Sequence, residues 1–441
     1  RASTGALIAK TPPPFNVRTR VHEYGGGAFA ASQGTLYFTN YTDQLLYRLP
    51  PGGEPEAITP DALFRYADMI VDNARGELIC VREDHTNTDS EAVNALVRLN
   101  ARGEGEPRIL IAGSDFYASP RLNPSGTMLA WTSWNHPNMP WDGSELWTAQ
   151  VKVDGNLDNI SKIAGGTEES IFQPEWSPDG VLHFISDRSG WWNLYRLSEA
   201  GIEPILEMEA EFGKPQWSFG TTSYGFQSAS SIICSFVQNG RWSLGSVDTA
   251  RKTLEPIQTA YSEMGRGDLK VLSGTVVFEA SSPTEPMSIL SLDLGSGNVK
   301  ILRQSVSLNV DPGYISFPQQ IEFPTEDGLT AHAFYYPPRN PDYTSPPGEK
   351  PPLLVKSHGG PTGAASIGLN LHVQYWTSRG FAVLDVNYGG STGYGREYRR
   401  RLNRTSRARR HNLSVRLHLW MGVQEIHQHV GATSLGCYQD E

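Results

Sequence analysis

Short apolar runs separated by turn residues fill the chain from Val21 to Ser305. Thr35 to Asn40 leads to Leu45 to Leu49, and Gly126 to Trp131 leads to Glu145 to Trp147. Gly180 to Ser186 leads to Trp192 to Leu197, and Gly274 to Glu279 leads to Met287 to Leu292. Each pair reads as a β-hairpin, because alternating runs bounded by Gly, Pro, Asn and Asp are strand signals. The turn phrases recur. Asn123-Pro124-Ser125-Gly126 is answered by Ser177-Pro178-Asp179-Gly180, and Trp176 by Trp217, at spacings in the forties and fifties. Such a period, with about four strands per unit, marks a β-propeller. Units are expected to start near residues 21, 62, 114, 167, 212 and 262, six in all. A β-sandwich is the competing architecture, but it does not repeat its turn phrases. Residues 1–20, with Pro12, Pro13 and Pro14 and no periodicity, read as a linker.

After Ser305 the texture changes. Ser316 to Phe323 and Leu329 to Tyr336 alternate across Glu326-Asp327-Gly328, a hairpin signal. A proline-rich loop follows from Pro337 to Pro352. Leu353 to Lys356 is an apolar run that ends at His358-Gly359-Gly360-Pro361. A helical stretch with Leu371, Val373, Tyr375 and Trp376 closes at Gly380. Phe381 to Val386 is a second apolar run, ended by Gly389-Gly390-Ser391-Thr392-Gly393. Strand, glycine turn, helix, strand is the grammar of a buried parallel sheet. Ligand chemistry in such sheets gathers at the carboxyl ends of the strands, where both glycine turns lie. With little sheet-forming sequence after it, Phe381 to Val386 is expected to expose a flat apolar edge and to limit solubility.

Composition narrows the class. A chain of 441 residues is too long for one ordinary core, so two or three domains are expected. A net charge of −10 argues against a nucleic-acid partner. No apolar run approaches the roughly 18 residues of a membrane helix, so no membrane partner is expected. Cys80, Cys234 and Cys437 are too few and too scattered for a disulfide framework or a zinc site, which makes a reducing, cytoplasmic setting the default. The chain begins at Arg1 rather than Met, which leaves a removed signal segment open.

The His358-Gly359-Gly360-Pro361 turn has a chemical logic. Glycines lack Cβ, so their N–H groups can approach a substrate closely and adopt positive φ. Pro361 stiffens the turn. Ser357 to Pro361, Tyr375-Trp376, Gly380 to Val383 and Asn387 to Gly395 together resemble the prolyl oligopeptidase family of serine peptidases. The branch is that of acylaminoacyl-peptidases and dipeptidyl aminopeptidase-like enzymes, which Val21-His22-Glu23-Tyr24-Gly25-Gly26-Gly27 also resembles. The likeness covers nearly everything to Asn403 and stops there. It implies a propeller at 21–305, seven-bladed in the intact family and about six blades here. A partial α/β-hydrolase domain would follow at 306–403. It also implies truncation at both ends, with Ser3 to Lys10 as the last strand of a missing blade. In α/β-hydrolases this glycine loop donates an N–H to the oxyanion hole, which makes Gly359 and Gly360 the candidates there. His358 and Pro361 would support the loop. The implied substrate is a small peptide, with no cofactor and no metal; the oligomeric state is left open.

Gly389 to Gly393 matches G-x-S-x-G letter for letter. A nucleophile elbow needs a tight strand-to-helix turn, and the flanking glycines make a loop instead. The resembling family carries its nucleophile on a later strand within a G-G-S-x-G-G phrase that does not occur here. Ser391 is therefore read as a decoy, and no catalytic residue is identified. The hydrolase triad runs Ser, then Asp or Glu, then His. After Ser391 the one aspartate is Asp440, with no histidine behind it, and Glu425 with His427 or His429 is crowded into an atypical tail. His358 reads as a loop-fixing hydrogen-bond partner rather than a base. His22 and Glu23 read as packing at a propeller turn, with a place at a pore or domain interface as the alternative.

The tail, 404–441, is foreign in texture. Arginines crowd its approach at Arg396, Arg399, Arg400, Arg401, Arg404, Arg407, Arg409 and Arg410. A solvated basic loop and helix, an RNA- or membrane-binding tail, and a translated frameshift or mis-splicing are the three readings, with the last preferred. The nucleotide sequence around codon 403 would decide. The sequence thus resembles a serine-type exo- or oligopeptidase of the acylaminoacyl- or dipeptidyl-peptidase kind that lacks its triad and is expected to be inactive as written. A non-catalytic propeller binding module and a related carboxylesterase are the alternatives. A nucleophile downstream in the reading frame separates the first of these, and peptide against ester turnover the second.

Overall fold

The computed structural model describes residues 9–265, 268–308, 310–325, 328–360, 362–406 and 435–439. It is mostly β. Six four-stranded antiparallel sheets precede one five-stranded mixed sheet. The six begin with strands Phe29–Ser32, Phe64–Asp72, Phe116–Leu122, Ile171–Trp176, Tyr224–Ser228 and Leu269–Leu272. Each pairs its four strands in chain order, as a meander does.

The turns explain this regularity. In the two repeated phrases the Gly126 N–H meets the Asn123 carbonyl and the Gly180 N–H meets the Ser177 carbonyl, each at 2.9 Å. The leading side chain then accepts the next amide: Thr127 N–H to Asn123 Oδ1 at 2.9 Å, and Val181 N–H to Ser177 Oγ at 3.0 Å. Both turns close through glycine at positive φ, 68° and 85°. Tight hairpins use a second device. Asn239-Gly240, with φ of 51° and 72°, joins Ser231–Gln238 to Arg241–Asp248 as a two-residue turn of the favoured primed type.

The chain forms two compact units. The first comprises Arg1–Arg188, Leu194–Pro204 and Gln216–Thr221, and holds the bulk of the first four sheets. Its core buries Trp131, Tyr117, Leu96, Val81 and Ile79 almost completely. Each such side chain contributes roughly 1.5–3 kcal/mol of transfer free energy. The first strands of the second, third and fourth sheets each kink at a buried polar residue of positive φ: Asp68 at 50°, Ser119 at 54° and Gln173 at 46°. The Ser119 N–H donates to Asp68 Oδ2 at 2.6 Å, and Arg121 lies between Asp68 and Glu175, 2.9 Å from the latter.

The second unit comprises Ser189–Asn193, Ile205–Pro215 and Thr222–Glu441. It holds the last two four-stranded sheets and the mixed sheet. Strands of the mixed sheet are β1 (Gln319–Pro324), β2 (Thr330–Tyr336), β3 (Leu353–Ser357), β4 (Ala382–Asn387) and β5 (Leu435–Gln439). Helix α1 (Leu371–Thr377) joins β3 to β4, and α2 (Gly395–Ser406) follows β4. The spatial order is β1-β2-β4-β3-β5. β1 and β2 form the antiparallel hairpin read from the alternation, whereas β4, β3 and β5 run parallel. Every residue of β4 is buried, which is why this strand reads as a continuous apolar run.

One expectation is corrected here. Phe381 to Val386 does not expose an edge, because the crossover through α1 inserts β4 between β2 and β3, where it is hydrogen-bonded on both sides. β3 in turn is covered by β5, which comes from the tail. Of the arginines before the tail, Arg396 and Arg399 are buried. The rest of the tail, 407–434 with Glu425, His427 and His429, and Asp440 and Glu441 lie outside the described residues, as do residues 1–8 of the proposed blade remnant.

Candidate active site

Parallel strands β3 and β4 are in register through the pair Ser357↔Val386, and their carboxyl ends release the two glycine loops side by side. Beyond Ser357 the chain leaves the ladder. Gly359 and Gly360 are exposed, and Gly360 has a φ of 91°. Among the described residues, neither N–H has an acceptor. Gly363 lets the turn close: a Cβ there would lie 2.8 Å from both the Gly359 carbonyl oxygen and His358 Nδ1. Pro361 lies outside the described residues.

His358 and Ser391 meet. His358 Nε2 lies 2.7 Å from Ser391 Oγ, and Nδ1 lies 3.0 Å from the Gly359 carbonyl oxygen. A carbonyl only accepts, so Nδ1 carries the ring proton and Nε2 accepts from the serine hydroxyl. Burial, reinforced by the nearby Lys356 charge and opposed by the Gly359 bond, lowers the His358 pKa from 6.5 to about 4. The imidazole is therefore neutral at neutral pH. Ser391 is fully buried. It stands in a loop, residues 388–394, between the end of β4 and the start of α2 rather than on a tight elbow.

The rest of that loop zips onto the first. Thr392 donates its N–H to the Gly363 carbonyl at 2.9 Å and its hydroxyl to the Thr362 carbonyl at 2.6 Å. The Tyr388 ring stacks on His358 with centroids 4.4 Å apart, and burial pushes its phenol up to about 12. Asn387 accepts the Ala365 N–H at 2.7 Å and donates to the Tyr394 hydroxyl at 3.0 Å. From the other side, Glu211 accepts the Gly393 N–H at 2.7 Å and pairs with Arg399 at 3.1 Å, both side chains essentially fully buried. The Arg399 guanidinium lies 3.9 Å over the Trp192 ring. On the strands below, Lys356 pairs with Asp385 at 3.2 Å.

Sequence reasoning gave no site role to Gly363, Asn387, Tyr388, Thr392, Glu211 or Arg399. Gly363 and Tyr388 sit beside the glycine pairs and could have been read as parts of the turns. Glu211 carries no local signal. His22 and Glu23 lie in the first unit, at φ of 54° and 65°. Phe116, Trp134 and Phe219 surround the His22 ring, and burial lowers its pKa to about 4. Among the described residues, no group of three His, Cys, Asp or Glu side chains could hold a metal ion, and no helix is long and apolar enough to cross a membrane.

Comparison with known proteins gives a consistent picture. Residues 368–410 match the model of the prolyl oligopeptidase family. A crystal structure of puromycin hydrolase superposes with a TM-score of 0.89 at 35% identity, covering 100% of this chain and 69% of that one. The structure of a puromycin-hydrolyzing peptidase from Mycobacterium tuberculosis superposes at 0.90 with 34% identity, covering 99% and 69%. Dipeptidyl aminopeptidase BIII of Pseudoxanthomonas mexicana is 29% identical over 161 residues, which is 34% of this chain and 22% of that relative.

Proposed function

This chain belongs to the prolyl oligopeptidase family, and from that premise we propose that it carries a β-propeller and the oxyanion-bearing first part of an α/β-hydrolase domain. The reaction is acyl transfer from small peptides, in which a serine attacks the carbonyl and the developing oxyanion is held by backbone N–H groups. The observation that carries this reading is the pair of exposed glycines, Gly359 and Gly360, at the end of a central parallel strand with N–H groups that meet no acceptor among the described residues. The β1-β2-β4-β3-β5 order supports the hydrolase assignment, and the six meander sheets support the propeller. Names of the relatives, a dipeptidyl aminopeptidase and puromycin-hydrolyzing enzymes, support an exopeptidase-like substrate range. Ser391 is not read as a nucleophile, because it is buried with its hydroxyl bonded to His358.

A graft tests the oxyanion role. Residues 353–395 replace the matching segment of the Mycobacterium tuberculosis peptidase, and puromycin hydrolysis is measured. The graft should retain activity, and Gly359→Pro within it, which removes one N–H, should lower kcat by about 10²–10³-fold. Unchanged kcat in the proline variant would refute the role.

A further inference from the structure

We propose that Ser391 is a positioning residue: its hydroxyl holds the His358–Gly360 turn in the shape that leaves both glycine N–H groups open, a role that rests on the oxyanion reading above. The donor stands on an anchored loop. The Ser391 N–H is bonded to the Tyr388 carbonyl at 2.9 Å, the Gly390 N–H to the Tyr398 carbonyl at 3.0 Å and the Gly393 N–H to Glu211 at 2.7 Å. From that base the Ser391 hydroxyl reaches Nε2, and Nδ1–H closes onto the Gly359 carbonyl. The ring thus ties β4's loop to the carbonyl of the first glycine, and that carbonyl is turned toward the ring rather than toward the open face.

The same distances would suit a serine–histidine hydrolytic pair, and three features separate the two roles. The group orienting Nδ1 is the adjacent residue's carbonyl, not a carboxylate. The serine has no exposed surface through which a substrate carbonyl could reach it. The two loops are further bonded through both Thr392 contacts, so the serine cannot swing outward alone. The groups facing the ring are Ser391, Tyr388 and Lys356, the last paired with Asp385. None supplies a negative charge that would hold an imidazolium. Removing the hydroxyl leaves Nε2 buried without its donor, a cost the turn can relieve only by moving.

Two measurements on the 441-residue chain test this, and neither uses a substrate. In [¹⁵N]histidine-labelled protein, the His358 resonance, identified by its loss in His358→Gln, should show a neutral ring with the proton on Nδ1 from pH 8 to about 5. A proton on Nε2 at neutral pH overturns the assignment. In hydrogen exchange, Ser391→Ala should raise exchange at the bonded amides that join the two loops, Thr392 to the Gly363 carbonyl and Ala365 to Asn387, by at least tenfold while β4 stays protected. No rise at these two amides overturns the proposal. An equal rise across them and β4 also overturns it, since Ser391 would then serve general stability. Failure here leaves the graft result standing, so the two readings can fail separately.

Discussion

Two histidine-and-glycine loops in this chain have similar letters and opposite physics. In the first unit, His22 precedes Gly25, Gly26 and Gly27; in the second, His358 precedes Gly359 and Gly360. Both histidines are half-buried, and both have pKa values lowered to about 4. The glycines differ. The Gly25 N–H bonds the Val21 carbonyl at 3.0 Å, Gly26 bridges to Phe219, and the Gly27 carbonyl accepts the Asp68 N–H at 2.9 Å. A Cβ on Gly26 would meet the Phe219 carbonyl oxygen at 2.4 Å. Glycine is needed there so that two backbones can touch. Gly359 and Gly360 are exposed, and among the described residues their N–H groups meet no acceptor, which is what an oxyanion needs. A glycine run thus says little until it is known whether its backbone is already packed against another.

Substitutions that strike one loop and spare the other sharpen this contrast. Arg399→Met should have the largest effect, about 3–5 kcal/mol off the stability of the second unit, because it leaves Glu211 buried without that cation. Denaturant titration followed by tryptophan fluorescence reads it, and a loss below about 1 kcal/mol would remove Glu211 as the anchor of the second glycine loop. Gly26→Ala should cost about 3 kcal/mol through backbone collision and left-handed strain. A stable Gly26→Ala protein would break the contrast.

Acid should weaken both loops. His22, His183 and His358 each have pKa values lowered to about 4, so each contributes fully above about pH 6.5, where the neutral ring dominates folded and unfolded chains alike. As pH falls from 6.5 toward 4 the unfolded chain takes up protons that the folded chain refuses. Stability should drop across that window, by on the order of 2 kcal/mol per ring, taking the thermal midpoint down with it, and flatten below it. His22→Gln and His358→Gln should each remove one share of the slope. Gly360→Ala should do least, about 1 kcal/mol of strain at φ 91° in an exposed turn.

The repeating sheets were legible because their signals are local. A turn such as Ser177 to Gly180 closes within four residues, so the letters contain the whole interaction. β3, α1 and β4 were legible for the same reason. What escaped is non-local. His358 and Ser391 are 33 positions apart, and Glu211 and Arg399 are 188 apart. The loop around Ser391 was legible from its flanking glycines, but that its serine would close on His358 needed the register of β3 against β4. Strand order was also hidden: β4 looks like an edge in sequence and becomes central because β2 and β3 flank it. Leu435 to Gln439 gave no strand signal above the oddity of the tail, yet β3 offers its free side to that strand.

The central claim is that the second glycine loop braces the first rather than attacking substrate. It is tested most directly by treating the purified 441-residue chain with a fluorophosphonate probe, beside the Mycobacterium tuberculosis peptidase as the reactive control. The account predicts labelling of the control and none of this chain. Covalent labelling that disappears in Ser391→Ala would make Ser391 a nucleophile and contradict it.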